Sequence, residues 1–312
     1  MKEKEEASLQ QEEPMQVIKL VKASENKTFW ARLIAKPEAL VSLLAVVVSV
    51  VGIVTSSKTA SMTASTMEKQ NEAQLAAVKE QNEAQRLADR NNRFTYAIEH
   101  LKDETLAIRM GALYELKKLV LEDEGLQELI VRILGPYIRD GIENRELLPP
   151  KRYEDRPRPQ DDVFLACEIT SLIYEQSGYV LSLNSLSKEN LDLSGIHLKG
   201  ADLSRSHLNG TDFSSAQLQE ADFFLCYLRG ASLWQAQLQD AEIYESDFDK
   251  AYFCEANLER TSFVRMSLFE ANLSGTKGLT AVQLLTAYLD DTTLLDPDLR
   301  AEYDRLKTEQ GE

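Results

Sequence analysis

The sequence predicts a mainly β solenoid, preceded by a transmembrane helix, a helical stalk and a small α-helical block. Three features of the 312 residues lead to this prediction. A charge-free apolar run lies near the N-terminus, behind a charged tail at residues 1–38. A repeat of 11 residues follows the run, and a period of five residues governs the last third of the chain.

The apolar run predicts a single membrane span at residues 39–57. Its sequence, ALVSLLAVVVSVVGIVTSS, contains no charged side chain. A helix of this length reaches roughly 28 Å, close to the ~30 Å hydrocarbon core of a bilayer. Buried core helices seldom stay uncharged on every face. The run also exceeds the roughly 7–15 apolar residues of a cleaved signal peptide. We therefore expect residues 39–57 to contact the lipid bilayer.

The orientation of the span stays open at this point. Five basic side chains lie in the 20 residues before it and two in the 20 residues after it, which favours an exported C-terminal part. The three cysteines, Cys167, Cys226 and Cys254, form no disulfide framework and favour a reducing compartment instead.

Residues 58–92 predict a helical stalk. QNEAQ occurs at 70–74 and again at 81–85, and a repeat of 11 residues gives about 3.67 residues per turn of a helix. Large apolar residues are few in this segment. The stalk is therefore either a solvated helix or a weak seam through which the chain forms a homo-oligomer.

Three packed helices are predicted for the α-helical block at residues 93–145, because apolar residues recur there at helical spacing. Asp103 and Asp123 lie near predicted helix starts. Prolines then predict an extended linker at 146–162. A short helix and N-terminal cap are expected over 163–185, with Asp162 as the cap of the helix.

From Leu193 to Leu273, every fifth residue is Leu, Phe or Ile, and a small residue, most often Ala, usually lies two positions earlier. Neither a helix nor a strand places every fifth residue inside. A solenoid whose chain turns a corner every five residues does. The units ADLSR, ADFFL, ASLWQ and ANLSG resemble the pentapeptide-repeat family.

This resemblance implies a right-handed quadrilateral β-helix over 186–280, followed by a C-terminal helical tail over 281–312. The flanking segments resemble a membrane-anchored layout of the family. That layout implies a single-pass protein of a bacterial inner (plasma) membrane, with the solenoid in the cytoplasm. The family is one fold with many roles, so the resemblance implies little about function.

One outward face of the predicted solenoid combines carboxylates with aromatic and apolar side chains, because residues 20 apart stack in a four-sided coil. Such a rigid surface suits the binding of a partner protein. Alternatively, the helical block or the 281–308 segment packs over the apolar column. The candidate partner-binding residues are Asp202, Asp222, Phe224, Leu225, Glu242, Tyr244, Glu245 and Val264.

The favoured function is therefore a membrane-tethered, non-catalytic interaction, scaffold or regulatory module with an unknown protein partner. A DNA mimic that modulates a type II topoisomerase is the alternative. Residues 191–275 hold 13 acidic and six basic side chains. Duplex DNA carries about one negative charge per 1.7 Å of its axis. Its charge density is therefore higher than that of the repeat segment, which makes the repeats a poor mimic of DNA. The net charge of −16 argues against nucleic acid as a partner.

An enzyme is not predicted. The sequence has no phosphate loop, nucleophile elbow or HExxH motif. His197 and His207 lie two repeats apart, hence on opposite sides of a four-sided rod, and cannot share a metal. We expect no catalytic, cofactor-binding or metal-binding residues and no cofactor.

Overall fold

A computed structural model describes residues 37–148 and 156–310. Residues 1–36 of the predicted tail, 149–155 of the predicted linker and 311–312 lie outside the described residues. The described chain divides into two compact units after Arg86.

One helix, α1 (Pro37–His100), runs through the predicted span and stalk and into the predicted block. The expected boundaries at 57 and 92 are not breaks in this helix, since no glycine or proline lies between residues 53 and 100 to interrupt it. In the described part of the chain, α1 alone is long and apolar enough to cross a membrane. Most of the described apolar side chains between residues 41 and 54 are exposed, with Val48 at 67 %.

The predicted block at 93–145 contains the end of α1 and two further helices, α2 (Leu106–Glu122) and α3 (Gln127–Glu143), with a 3₁₀ turn at Glu124–Leu126. The predicted short helix is α4 (Asp161–Ser177), which packs on α2 and α3. From here on, the helical block means α2, α3 and α4. Asp103 accepts a hydrogen bond from the N–H of Thr105 at 2.7 Å, just before α2. Asp123 accepts one from the N–H of Gly125 at 2.9 Å. Both aspartates thus lie at helix starts, as predicted.

The prediction for the start of α4 is wrong. The helix begins at Asp161 with Gln160 as its N-cap residue, so the linker ends before 162. Asp162 lies inside the first turn, fully buried. Its carboxylate does not cap the helix, because it accepts hydrogen bonds from Arg109, Tyr137 and Arg145 instead.

The solenoid is held by parallel pairing between residues 20 apart, as in Asp202, Asp222 and Glu242. Strands β1 (Glu242–Tyr244) and β2 (Ser262–Val264) belong to the same ladder. The Asp222 N–H donates to the Ala201 carbonyl, and the Asp222 carbonyl accepts from the Leu203 N–H, both at 2.9 Å. Four such series run along the molecule, so the coil has four sides.

Inside the coil, the residues of the five-residue series and the small residues before them are buried. The rings of Phe248 and Phe253 lie 5.4 Å apart within this core. A residue with positive φ forms each corner, as at Arg205 with φ 60°. A β-turn of type II requires a positive φ, in the left-handed region of the Ramachandran plot, at its third residue.

The solenoid is longer at both ends than the predicted 186–280. Its first pairing joins Ser182 to Asp202, and its last joins Asn272 to Leu294. The predicted helical tail is therefore two short helices, α5 (Ala281–Leu284) and α6 (Pro297–Glu309), separated by a further coil. This coil contains inserted residues, since Ser267 pairs with Tyr288 and not with residue 287. The insertion hides the coil from a search for a strict five-residue period.

The helical block closes the N-terminal end of the solenoid. Glu143 accepts a hydrogen bond from the Ser187 N–H at 2.9 Å. The ring of Tyr174 lies over Gly200, where a Cβ atom would come within 2.3 Å of it. Gly200 also has a φ of +65°, so both its conformation and its neighbour require glycine.

Candidate functional site

The predicted partner-binding residues lie on one side of the solenoid, which we call the first face. It is formed by the repeats centred on Leu203, Phe223, Ile243 and Phe263. Asp222 pairs with Asp202 and with Glu242, and Tyr244 pairs with Val264. Stacking of coils thus brings together residues that are 20 positions apart in sequence.

An aromatic pair forms the centre of the first face. The rings of Phe224 and Tyr244 are stacked, with centroids 5.6 Å apart and an angle of 28° between their planes. Tyr244 is 37 % exposed, and Val264 beside it is half-buried. Cross-strand pairs of this kind stabilise a sheet modestly and leave an apolar surface open to solvent.

The aspartates of this face serve the fold. Asp202 accepts a hydrogen bond from the N–H of Ser204 at 3.0 Å, and Asp222 accepts one from the N–H of Phe224 at 2.8 Å. These are Asx turns, in which an aspartate side chain bonds to the backbone two residues on. Their carboxylates are therefore partly committed to the backbone, although they keep their charge.

Two other members of the predicted set have structural roles as well. Glu245 forms an ion pair with Arg265 in the next coil at 2.8 Å. Leu225 is a corner residue with φ 56°. Glu242 is exposed, and no hydrogen bond or ion pair of its side chain is found within residues 37–148 and 156–310. Glu242 and the aromatic pair are thus the groups of this face that are left for a partner.

The helical elements contact the ends of the solenoid and leave the aromatic pair open. Thr286, just after α5, donates a hydrogen bond to the Phe263 carbonyl at 2.6 Å, in the last coils. The helical block meets the first coils through Glu143 and Tyr174. The alternative in which either segment covers Phe224 and Tyr244 is therefore wrong for the described residues.

Sequence reasoning missed exposed aromatic residues on two other faces. On the second face (repeats centred on Leu208, Leu228, Phe248 and Leu268), Tyr227 stacks on His207 with ring centroids 4.6 Å apart. On the third face (repeats centred on Leu193, Phe213, Leu233, Phe253 and Leu273), Trp234 is 44 % and Tyr252 is 55 % exposed. Sorting all outward residues by column, on every face, would have found them.

A second cluster of titratable groups lies inside the helical block. Asp162 accepts hydrogen bonds from the Arg109 Nε at 2.6 Å and the Arg145 guanidinium at 2.9 Å, and from the Tyr137 hydroxyl. Burial, and secondly the bond to Asp162, raise the pKa of Tyr137 to about 12. Asp162 has no exposed surface, whereas the Arg145 side chain is 21 % exposed. The buried carboxylate is therefore placed to hold the helices together.

Potential metal ligands are dispersed. In the part of the chain that the structure describes, no group of three His, Cys, Asp or Glu side chains is placed to hold a metal ion. Cys167 and Cys226 are buried, and burial raises the pKa of the Cys226 thiol to about 12. A thiol of this kind is a poor nucleophile, because the thiolate is the reactive form.

A family model described as pentapeptide repeats matches residues 192–230, 221–260 and 246–277. These residues coincide with the parallel ladder of the solenoid. The segment from 192 to 277 is therefore a run of pentapeptide repeats. No curated protein matches the chain.

Three solved structures are similar to part of this chain. QnrB1, a plasmid-mediated fluoroquinolone resistance protein, is 16 % identical over 41 % of this chain and 88 % of its own, with a TM-score of 0.20. A pentapeptide repeat protein from Nostoc PCC 7120 is 20 % identical over 41 % and 93 %, with a TM-score of 0.23. One from the Arabidopsis thaliana thylakoid lumen is 28 % identical over 33 % and 71 %, with a TM-score of 0.20. The repeat match and the hydrogen-bond ladder, and not these likenesses, identify the fold.

Proposed function

We propose that this protein is a membrane-tethered, non-catalytic interaction module whose solenoid binds a partner protein through the first face. The observation that carries the proposal is the stacked pair of the half-buried Phe224 and the 37 % exposed Tyr244, beside the exposed Glu242. Aromatic residues are enriched at the centres of protein interfaces, where they provide large contact area at low entropic cost.

Rigidity of the platform supports this role. Both coils that carry the aromatic pair are hydrogen-bonded to their neighbours, and Phe223 and Ile243 beneath the pair have no exposed surface. The two rings are thus held in place before a partner arrives, which lowers the entropic cost of binding.

The tether in this proposal is α1, which inserts residues 39–57 into the bacterial inner membrane as a single span. The solenoid lies in the cytoplasm. Residues 58–92 then act as a stalk with exposed Met67, Leu75 and Val78, through which the chain forms a weak homo-oligomer. Labelling of a Thr308→Cys variant that lacks the three native cysteines, by an impermeant thiol reagent on intact cells, would contradict the cytoplasmic placement.

Site-specific photo-cross-linking in living cells tests the binding face. A photoreactive phenylalanine analogue at position 244 is expected to cross-link one defined protein. The same analogue at position 227, a tyrosine of similar exposure on the second face, is the matched control. A cross-link from position 227 together with none from position 244 would contradict the proposal and assign the interaction to the second face.

A further inference from the structure

The third face carries a second exposed aromatic surface, which the proposed function does not use. Trp234 is 44 % exposed, Tyr252 in the next coil is 55 % exposed, and Leu294 further along is 53 % exposed. The Trp234 carbonyl accepts a hydrogen bond from the Ser215 N–H at 2.8 Å, so its backbone is fixed in the ladder. The indole stands on a rigid support.

Charge distinguishes this face from the others. Its outward positions between 192 and 296 include no lysine or arginine among the described residues. They hold four carboxylates, Asp192, Asp212, Glu255 and Asp296. Three of these accept backbone hydrogen bonds, from Ser194, Ser214 and Gly275, which leaves their negative charge in place. The repeats of this face are therefore aromatic and carry only acidic charged side chains.

One basic segment of the chain already lies on this face. The Pro157 carbonyl accepts a hydrogen bond from the Asp192 N–H at 2.9 Å, so the chain before α4 pairs with the first coil. Arg156 forms an ion pair with Asp212 in the second coil at 3.6 Å. An arginine-bearing extended segment thus fits the start of the third face, and the aromatic residues begin in the coil after Asp212.

We propose that the third face, at Trp234 and Tyr252, binds an extended arginine-containing segment of a partner protein. A guanidinium stacks on the indole of Trp234, which attracts cations more strongly than other aromatic rings. Neighbouring carboxylates complement its charge, and arginine suits this site better than lysine because its planar group stacks. This binding uses different residues from the first face and does not depend on it.

The test uses the full chain in detergent micelles with Trp30→Phe, which leaves Trp234 as the sole tryptophan. The probe is the labelled peptide Gly-Arg-Gly-Arg-Gly-Arg-Gly, with the glutamine analogue as its control. Peptide anisotropy gives the affinity, and the emission of Trp234 reports contact with the indole. The variant Trp234→Ala is compared with Tyr227→Ala, a similarly exposed aromatic residue on the second face. Circular dichroism checks that both variants are folded.

We expect Trp234→Ala to weaken binding of the arginine peptide by roughly 5- to 30-fold, the range of a partly desolvated cation–π contact. Tyr227→Ala should leave it unchanged, and Trp234→Phe should retain part of it. Equal affinity of native and Trp234→Ala chains would overturn the proposal, as would equal binding of the glutamine peptide. An N-acetylglucosamine oligosaccharide is tested as a second probe. If it binds and Trp234→Ala abolishes its binding, while the arginine peptide does not bind, the proposal is wrong and the ligand of the third face is a glycan.

Discussion

The solenoid and the helical block satisfy their buried polar groups in different ways. In the solenoid, each coil bonds to the next through its backbone, and most inward polar side chains make short bridges, as Thr261 does to the Leu238 carbonyl at 2.8 Å. The Thr211 hydroxyl is an exception, with no hydrogen-bond partner among the described residues. In the helical block, one buried carboxylate, Asp162, gathers Arg109 from α2 and Tyr137 from α3. The first arrangement is repeated and local, whereas the second is unique and long-range.

This difference predicts how each region responds to damage. Truncation of one inward side chain disturbs its own coil and the coils bonded to it, while the more distant coils keep their partners. Removal of Asp162 affects several helices at once, because their charged groups have no other buried partner of that kind among the described residues. Buried ion pairs are costly to break for this reason.

The largest effect is expected for Asp162→Ala. It leaves the Arg109 guanidinium buried without its carboxylate, so the free energy of unfolding should fall by about 3–5 kcal/mol. Urea denaturation followed by circular dichroism measures this. Asp161→Ala, whose side chain is 56 % exposed, is the control and should change little. Equal losses in the two variants would contradict a central role for the buried network.

A somewhat smaller and more local effect is expected for Leu238→Ala in the solenoid. Leu238 has no exposed surface, and its truncation opens a cavity worth about 2–5 kcal/mol. Hydrogen exchange should increase most in the coils next to residue 238 and stay low at the far end of the ladder. Leu294→Ala, at a position that is 53 % exposed, provides the same substitution without the cavity. Uniform loss of protection along the whole solenoid would contradict the layered account.

The smallest effect is a pH dependence of the helical block. The pKa of Tyr137 is raised from 10.0 to about 12 by burial and by its bond to Asp162. A raised pKa in the folded state means that the stabilisation is complete below pH 10.0 and is lost as the pH rises through about 12. Native protein should therefore lose more stability in this window than Tyr137→Phe does. The control Tyr114→Phe, at a 54 % exposed position, should follow the native curve.

The same contrast explains what the sequence could predict. The five-residue period identified the solenoid. It also identified the face on which Phe224 and Tyr244 meet, because the period determines which side chains point outward and which residues stack in one column. It could not show that Asp202 and Asp222 bond to their own backbone, since that depends on the turn geometry. The prediction of Asp162 as a helix cap was wrong because its real partners are distant in sequence. Arg109 lies 53 positions away, and no repeating pattern connects the two residues.

The end coil and the third face show a further limit. Inserted residues before Tyr288 interrupt the period although the ladder continues there. Trp234 and Tyr252 lie at outward positions, which tolerate almost any residue and so carry no repeating signal. Sorting the outward residues by column would have placed both on one face, but only the structure gives the exposed fraction of each side chain.

The central claim is that the aromatic pair of the first face serves recognition and contributes little to the fold. The most direct test is the double variant Phe224→Ser with Tyr244→Ser. Urea denaturation measures its stability, and a photoreactive residue placed at position 242 measures whether it still cross-links the partner. Our account predicts loss of the cross-link and a fall in the free energy of unfolding of no more than about 1 kcal/mol, the value of a cross-strand pair. An unfolded or strongly destabilised variant, or a folded one that still cross-links its partner, would contradict the claim.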